Sequence, residues 1–217
     1  MEDVVETAVV VAGGVPEPPH AWPVVGAGAF VVAADGGADT ALALGLHVDL
    51  AIGDFDSVSA GGLAALERAG TRIERHSIAK DATDLELALD AALAAAPQRI
   101  LVVGSDGGRL DHLLSSLDLL ASARYSTVEL DAVLGGARVH VIHGSRELTG
   151  GPGELLSLHA LHGAARGVVT EGLLYPLAGE TLEPGSSRGI SNVFAGPEAH
   201  VSVEHGVLLA IRPGLQQ

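Results

Sequence analysis

Four short acidic stretches carry the residue types best suited to chemistry: Asp35-Gly36-Gly37, Gly53-Asp54-Phe55-Asp56-Ser57, Lys80-Asp81-Ala82-Thr83-Asp84 and Gly107-Gly108-Arg109-Leu110-Asp111-His112. Each falls where an apolar, strand-like run ends. In an open α/β sheet the reversals at the carboxyl ends of the strands line one crevice, so stretches distant in sequence converge on a single site. Clustered carboxylates offer hard oxygen donors, which suit a cation such as Mg²⁺. A crevice this acidic repels phosphate unless metal ions and an arginine offset the charge, and Arg109 stands beside Asp111. The chemistry indicated is metal-dependent and directed at phosphate.

Local spacing refines these roles. Asp54 and Asp56, two residues apart in a turn, can reach one metal or its water shell, although an Asp-rich turn held by its own side chains has the same signature. Asp81 precedes a helix whose N-terminus favours a nearby phosphate, while Thr83 with Glu86 three residues later matches a helix-capping pair. The glycines at 107 and 108 permit close backbone approach, and Arg109 can grip phosphate oxygens with two donors at once. Gly185-Ser186-Ser187-Arg188-Gly189 matches a nucleophile-elbow pattern but lacks the strand-turn-helix context, so it reads as a turn. There is no Gly-x-x-x-x-Gly-Lys-Ser/Thr loop, and the ten histidines show no zinc spacing.

The elements that must position these residues change character partway along the chain. Up to about residue 122, strands predicted at Thr7 to Ala12, Phe30 to Ala34, Asp49 to Ile52, Arg72 to Arg75 and Arg99 to Val103 alternate with helices at Ala38 to Leu46, Ser59 to Ala69, Thr83 to Ala95 and Leu110 to Ala123. Beyond about 125 the helical period disappears. Strands are predicted there at Thr127 to Leu134, Ala137 to Ile142, Gly153 to Ala160, Gly167 to Thr170, His200 to Val203 and Val207 to Ile211, with Glu204-His205-Gly206 as a hairpin turn. The expected fold is α/β plus all-β: an N-terminal Rossmann-like three-layer α/β domain over 1–124, then a C-terminal β-sandwich over 125–217.

Composition narrows the partners. With 12 basic and 27 acidic residues among 217, the net charge of -15 disfavours DNA or RNA, which need a basic face. No apolar run approaches the roughly 20 residues of a membrane span. The acidic N-terminus (Glu2, Asp3, Glu6) does not read as an export signal, so the expected location is cytoplasmic. The chain has no cysteine, which removes disulfides, thiolate metal sites and cysteine nucleophiles.

The ordered series Asp-Gly-Gly-Ala, Gly-Asp-Phe-Asp-Ser, Lys-Asp-x-Thr-Asp and Gly-Gly-Arg-Leu-Asp-His resembles the thiamine pyrophosphokinase family. The likeness continues through Gly172-Leu173-Leu174-Tyr175-Pro176-Leu177, Gly189-Ile190-Ser191-Asn192 and Val201-Ser202-Val203-Glu204, and so covers nearly the whole chain. It implies transfer of the pyrophosphoryl group of ATP to thiamine, and a homodimer with thiamine near the subunit interface. By motif, Asp54, Asp56 and Asp81 hold Mg²⁺, with Asp84 close by. Asp35, Gly36, Gly37, Lys80, Gly108, Arg109 and His112 contact ATP, and Arg109 and Asp111 belong to the transfer site. Either Asp81 or Asp111 acts on the thiamine hydroxyl. Ser191, Asn192 and Tyr175 contact thiamine, with Tyr175 and Phe194 as candidate stacking partners.

The chain departs from the family pattern at Asp39, Ser116 and Val193, where Asn, Asn and an acidic residue are frequent. Two rival readings keep parts of this picture. A pyrophosphokinase for a pterin-like hydroxymethyl compound would keep the metal residues and discard the C-terminal features. A non-catalytic nucleotide-binding regulator would have lost its carboxylates.

Overall fold

A computed structural model describes residues 5–14, 25–26, 28–105 and 108–214. Gly107 and Trp22 lie outside them. The chain divides into two compact units: residues 1–116 with 127–136, and 117–126 with 137–217.

The first unit is built on six parallel strands: β1 (Thr7–Val11), β2 (Phe30–Ala34), β3 (Leu50–Gly53), β4 (Arg72–Arg75), β5 (Arg99–Gly104) and β6 (Glu129–Leu134), in the order β4-β3-β2-β1-β5-β6. Their near-continuous Ala/Val/Ile/Leu runs suit strands covered on both faces. Ala8 to Val11 are fully buried. Val9, Val11, Val31, Ala33, Leu101 and Val103 form one core with Ala38 and Ala41 of helix α1 (Gly37–Ala43) and Leu66 of α2 (Ala60–Ala69). Side-chain alternation turns Ala8, Val10 and Val32 to the other face. Helix α3 (Asp84–Ala94) packs against β1, β2 and β3 and buries Ala88, Leu89 and Ala92. The strand order reverses at β1, with β2 on one side and β5 on the other, which defines the ligand crevice of an open α/β sheet.

The predicted boundary after residue 124 is corrected by β6. This strand pairs in parallel with β5, Val102 opposite Ala132, and so belongs to the first unit. A parallel partner requires a crossover, which helix α4 (Leu110–Leu120) begins. Among the described residues no helix follows β6, which is why its sequence reads as the start of the β-rich half. An ion pair joins the same strands: Asp131, almost fully buried, accepts from the Arg99 guanidinium at 2.6 Å. Arg99→Ala takes the guanidinium away from that carboxylate, and since the arginine itself is 42% exposed the loss of stability is moderate. It should reach about 2 kcal/mol by urea denaturation, and an unchanged midpoint would contradict the pairing.

The second unit is antiparallel. Its strands are β7 (Ala137–Ile142), β8 (Ser145–Thr149), β9 (Leu155–Glu171), β10 (Ala178–Leu182), β11 (Asn192–Val193), β12 (Glu198–Ser202) and β13 (His205–Arg212). All are organised around the 17-residue β9. Its first half pairs with β13, its last residues with β12, and β10 and β11 join it as well. Two predicted strands therefore fuse into one. Positive φ at His162, Gly163 and Gly167 puts an irregularity inside β9 where the sequence suggests a break. The predicted hairpin at Glu204-His205-Gly206 is also corrected: β12 and β13 do not pair with each other, and β9 lies between them. Strands β8, β10 and β11 are short or polar and carry no clear sequence signal. Leu156, Leu158, Val168, Leu182, Phe194 and Leu208 fill the core. Phe194, fully buried, is thereby removed as a stacking partner for a ligand.

Candidate active site

Three of the four acidic stretches meet at the carboxyl ends of β2 and β3. Pairing of Ala34 with Ile52 sets Asp35 beside Gly53, and the Asp35 amide donates to the Ile52 carbonyl at 2.9 Å. Gly53 is required here. A Cβ at this position would lie 3.1 Å from both the Asp35 Cβ and an Asp84 carboxylate oxygen, on a backbone with φ of +151°. Asp84 opens α3, where Thr83 accepts from the Glu86 amide at 3.2 Å and the helix N-terminus favours negative charge.

Asp35, Asp54 and Asp84 each present a carboxylate oxygen, all within 4.8 Å of one another. Asp35 Oδ1 is buried with no hydrogen-bond partner, while its Oδ2 accepts from the Ser57 hydroxyl. Lys80 brings its ammonium to 3.1 Å from Asp84 and 3.6 Å from Asp54. One lysine does not neutralise the group. The carboxyl of exposed Asp56 is raised above its ordinary range, chiefly by the charge of Asp54, then by burial and by Asp35 and Asp84, with Lys80 opposing. Hard oxygens, excess negative charge and an orphaned buried oxygen together fit a divalent cation.

This set differs from the one expected from motif spacing. Asp54 is common to both. Asp35 and Asp84, assigned above to supporting places, supply the other two oxygens, because register across β2 and β3 decides proximity and local spacing cannot reveal it. Asp56 sits at the rim, its amide donating to Asp54 Oδ1 at 3.1 Å. Asp81 is exposed in the turn before α3 and is not one of the three.

Two glycines beside this group have steric reasons. A Cβ on Gly37 would lie 2.0 Å from the Val11 carbonyl oxygen, so the start of α1 rests directly on the end of β1. A Cβ on Gly36 would come 3.2 Å from the Ser57 hydroxyl. The glycine pair Gly13-Gly14 is missing from the expected residues. At Gly14 a Cβ would collide with Ser105 at 2.2 Å, bringing the ends of β1 and β5 together at the reversal of strand order. Its signal in the sequence is a double glycine directly after the first strand.

At the start of α4, Arg109 donates to Asp111 through Nε at 3.2 Å and through a terminal nitrogen at 2.5 Å. These bonds hold the Asp111 carboxyl down to about 2. The two-point pairing orients the Arg109 guanidinium. Gly108 takes a positive φ of +87°, and exposed His112 offers its carbonyl to Ser116 at 2.7 Å. Two departures from the family pattern are explained locally: Ser116 caps a carbonyl of its own helix, and Asp39 accepts from the Ser59 amide and hydroxyl, both at 2.7 Å, bracing the start of α2.

The second unit contains a cavity of about 440 Å³ lined by Tyr175, Leu177, Arg188, Ile190, Ser191 and Asn192 among others. Asn192 is buried, and its amide is engaged with the loop: Oδ1 accepts from the Tyr175 amide at 3.0 Å and the Val193 amide at 2.9 Å, while Nδ2 donates to the Tyr175 carbonyl at 2.7 Å. Asn192 thus fixes the backbone of Tyr175, a residue that remains 60% exposed. Ser191 holds a φ of +56° and donates its amide to the Ser157 hydroxyl at 3.1 Å. Asn192→Ala removes all three side-chain bonds. It should cost about 2 kcal/mol of stability in thermal or urea unfolding, and a variant as stable as the parent would show that the loop does not depend on them.

Fold and site define a two-unit protein: a doubly wound α/β unit with a carboxylate crevice at its strand ends, and a β-rich unit with its own cavity. Two family descriptions match the chain, the catalytic domain of thiamin pyrophosphokinase over residues 24–131 and its vitamin B1 binding domain over 139–208. The thiamine pyrophosphokinase of Bacillus subtilis strain 168 is 28% identical over 191 residues, covering 83% of this chain and 86% of that one. A crystal structure of thiamine pyrophosphokinase from Bacillus subtilis superposes with a TM-score of 0.85 at 26% identity, covering 97% of this chain and all of that one. The corresponding structure from Geobacillus thermodenitrificans gives 0.79 at 27%, covering 96% and 97%. The chain belongs to the thiamine pyrophosphokinase family, and with it to the kinase-type transferases. Neither the pterin-directed enzyme nor the non-catalytic regulator is favoured by these matches.

Proposed function

We propose that this protein transfers the pyrophosphoryl group of ATP to the hydroxyl of thiamine, giving thiamine diphosphate and AMP. The observation that carries the reading is the carboxylate group of Asp35, Asp54 and Asp84, with its orphaned buried oxygen, in a chain that matches both domains of the family. When bound there, Mg²⁺ supplies charge neutralisation for the polyphosphate. Asp35, Asp54 and Asp84 would hold it, Asp56 adds to the negative field at the rim, and Lys80 is placed to shift between carboxylate and phosphate. Transfer of this kind depends on alignment and charge stabilisation more than on covalent help from the protein. Arg109, oriented by Asp111, offers donors to phosphate oxygens. Either Asp81 or Asp111, both exposed and outside the three-carboxylate group, receives the thiamine hydroxyl proton.

Thiamine occupies the cavity that Tyr175 and Ser191 line, with the Tyr175 ring as its aromatic contact. The protein works as a homodimer in the cytoplasm, with this site near the subunit interface. The test is product analysis with Mg-ATP and thiamine. Equal amounts of AMP and thiamine diphosphate, formed only with both thiamine and metal, support the reading. A hydroxymethyl pterin accepted in preference to thiamine would overturn it.

A further inference from the structure

The cavity of the second unit contains a contradiction if its occupant is thiamine. Of its lining side chains only Arg188 carries a charge at neutral pH, and that charge is positive. The thiazolium ring of thiamine is permanently positive as well. A free guanidinium in this wall would repel the ligand, most strongly at low ionic strength.

Glu180 resolves it. From β10 it receives two hydrogen bonds from Arg188, from Nε at 2.9 Å and from a terminal nitrogen at 2.8 Å. This is the planar, two-point pairing by which a carboxylate matches guanidinium geometry. The Glu180 carboxyl is held below its ordinary range by those bonds, so the pair stays ionised and mutually neutralised at neutral pH. The turn carrying Arg188 is further fixed by its own amide, which donates to the Ser186 hydroxyl at 3.1 Å.

Resting on the assignment of this cavity to thiamine, we infer that Glu180 is a specificity-determining residue that cancels the charge of Arg188 and so lets a cationic ligand enter a wall containing an arginine. Glu180 reaches the ligand only through Arg188. The pair works as a charge filter: intact, it is neutral to a cation, and without Glu180 it selects against one.

The test is titration of the intact protein with thiamine, and with the neutral alcohol 4-methyl-5-hydroxyethylthiazole, at low and high salt. The variants are Glu180→Gln, Arg188→Gln and the double variant, each with a circular dichroism check of folding. Glu180→Gln should weaken thiamine binding roughly five-fold at low salt, with the loss shrinking as salt screens the charge, and should leave the neutral thiazole unaffected. Adding Arg188→Gln to Glu180→Gln should restore thiamine affinity. Equal losses for thiamine and the neutral thiazole, or no rescue in the double variant, would overturn the inference by showing that Glu180 only braces the turn. A parent protein that binds no thiamine while still forming AMP from another alcohol would instead overturn the assignment of the cavity, and the inference with it.

Discussion

Asp54→Asn should lower kcat by about a thousandfold while the fold persists, the scale expected when one element of a preorganised charge-stabilising site is removed. Asp54 is the carboxylate shared by the motif spacing and the geometry, lying within 4.8 Å of Asp35 and Asp84 through one oxygen of each. Asparagine keeps the shape and one oxygen and discards the charge. The comparison that gives this experiment its force is Asp56→Asn. By spacing alone Asp56 is an equal partner and its loss abolishes turnover. Exposed at the rim and outside the three-oxygen group, it should cost clearly less than Asp54. Steady-state kinetics of the two variants, with circular dichroism as the control for folding, decide the matter. An Asp54→Asn enzyme near parental activity, or an Asp56→Asn enzyme more damaged than it, contradicts the proposed ligand set.

Gly37→Ala should destabilise the protein by about 3 kcal/mol, at the upper end of what overpacking costs. Alanine is ordinarily the better helix residue by about 1 kcal/mol, so propensity alone predicts the opposite sign. The steric term decides the outcome: the new methyl would sit 2.0 Å from the Val11 carbonyl oxygen, a backbone atom in a fully buried strand that cannot rotate away. Helix α1 must lift from β1, disturbing Asp35 two residues before it. Urea denaturation gives the size, and a midpoint equal to or above that of the parent would show that the close contact is not maintained in solution.

Much of the first unit is legible in the sequence because its signals are strong and local. An apolar run closed by Asp35 places β2 at its observed ends, and Thr83 caps α3 as its spacing indicates. What escapes is whatever depends on register or on partners far along the chain. Asp35 and Asp84 join Asp54 only because β2 and β3 pair in one register and α3 begins beneath them. β6 looks like any apolar strand, and only its parallel pairing with β5 assigns it to the first unit. In the second unit Gly163 and Gly167 suggest a break where β9 continues through an irregularity, and Phe194 appears free for stacking until packing buries it. Asn192 carries a motif signal, and its role in holding Tyr175 appears only once its hydrogen bonds are traced.

The most direct measurement follows the phosphorus atoms. With ATP labelled at the β-phosphorus, the proposed transfer has the thiamine oxygen attack that atom, the bond to the bridging oxygen on the α-phosphate side break, and AMP leave. Unlabelled AMP and thiamine diphosphate labelled in the phosphate next to the alcohol carbon are expected in equal amounts, with Asp54→Asn nearly silent. Labelled ADP together with unlabelled thiamine monophosphate would mean transfer of the terminal phosphate alone, and would contradict it.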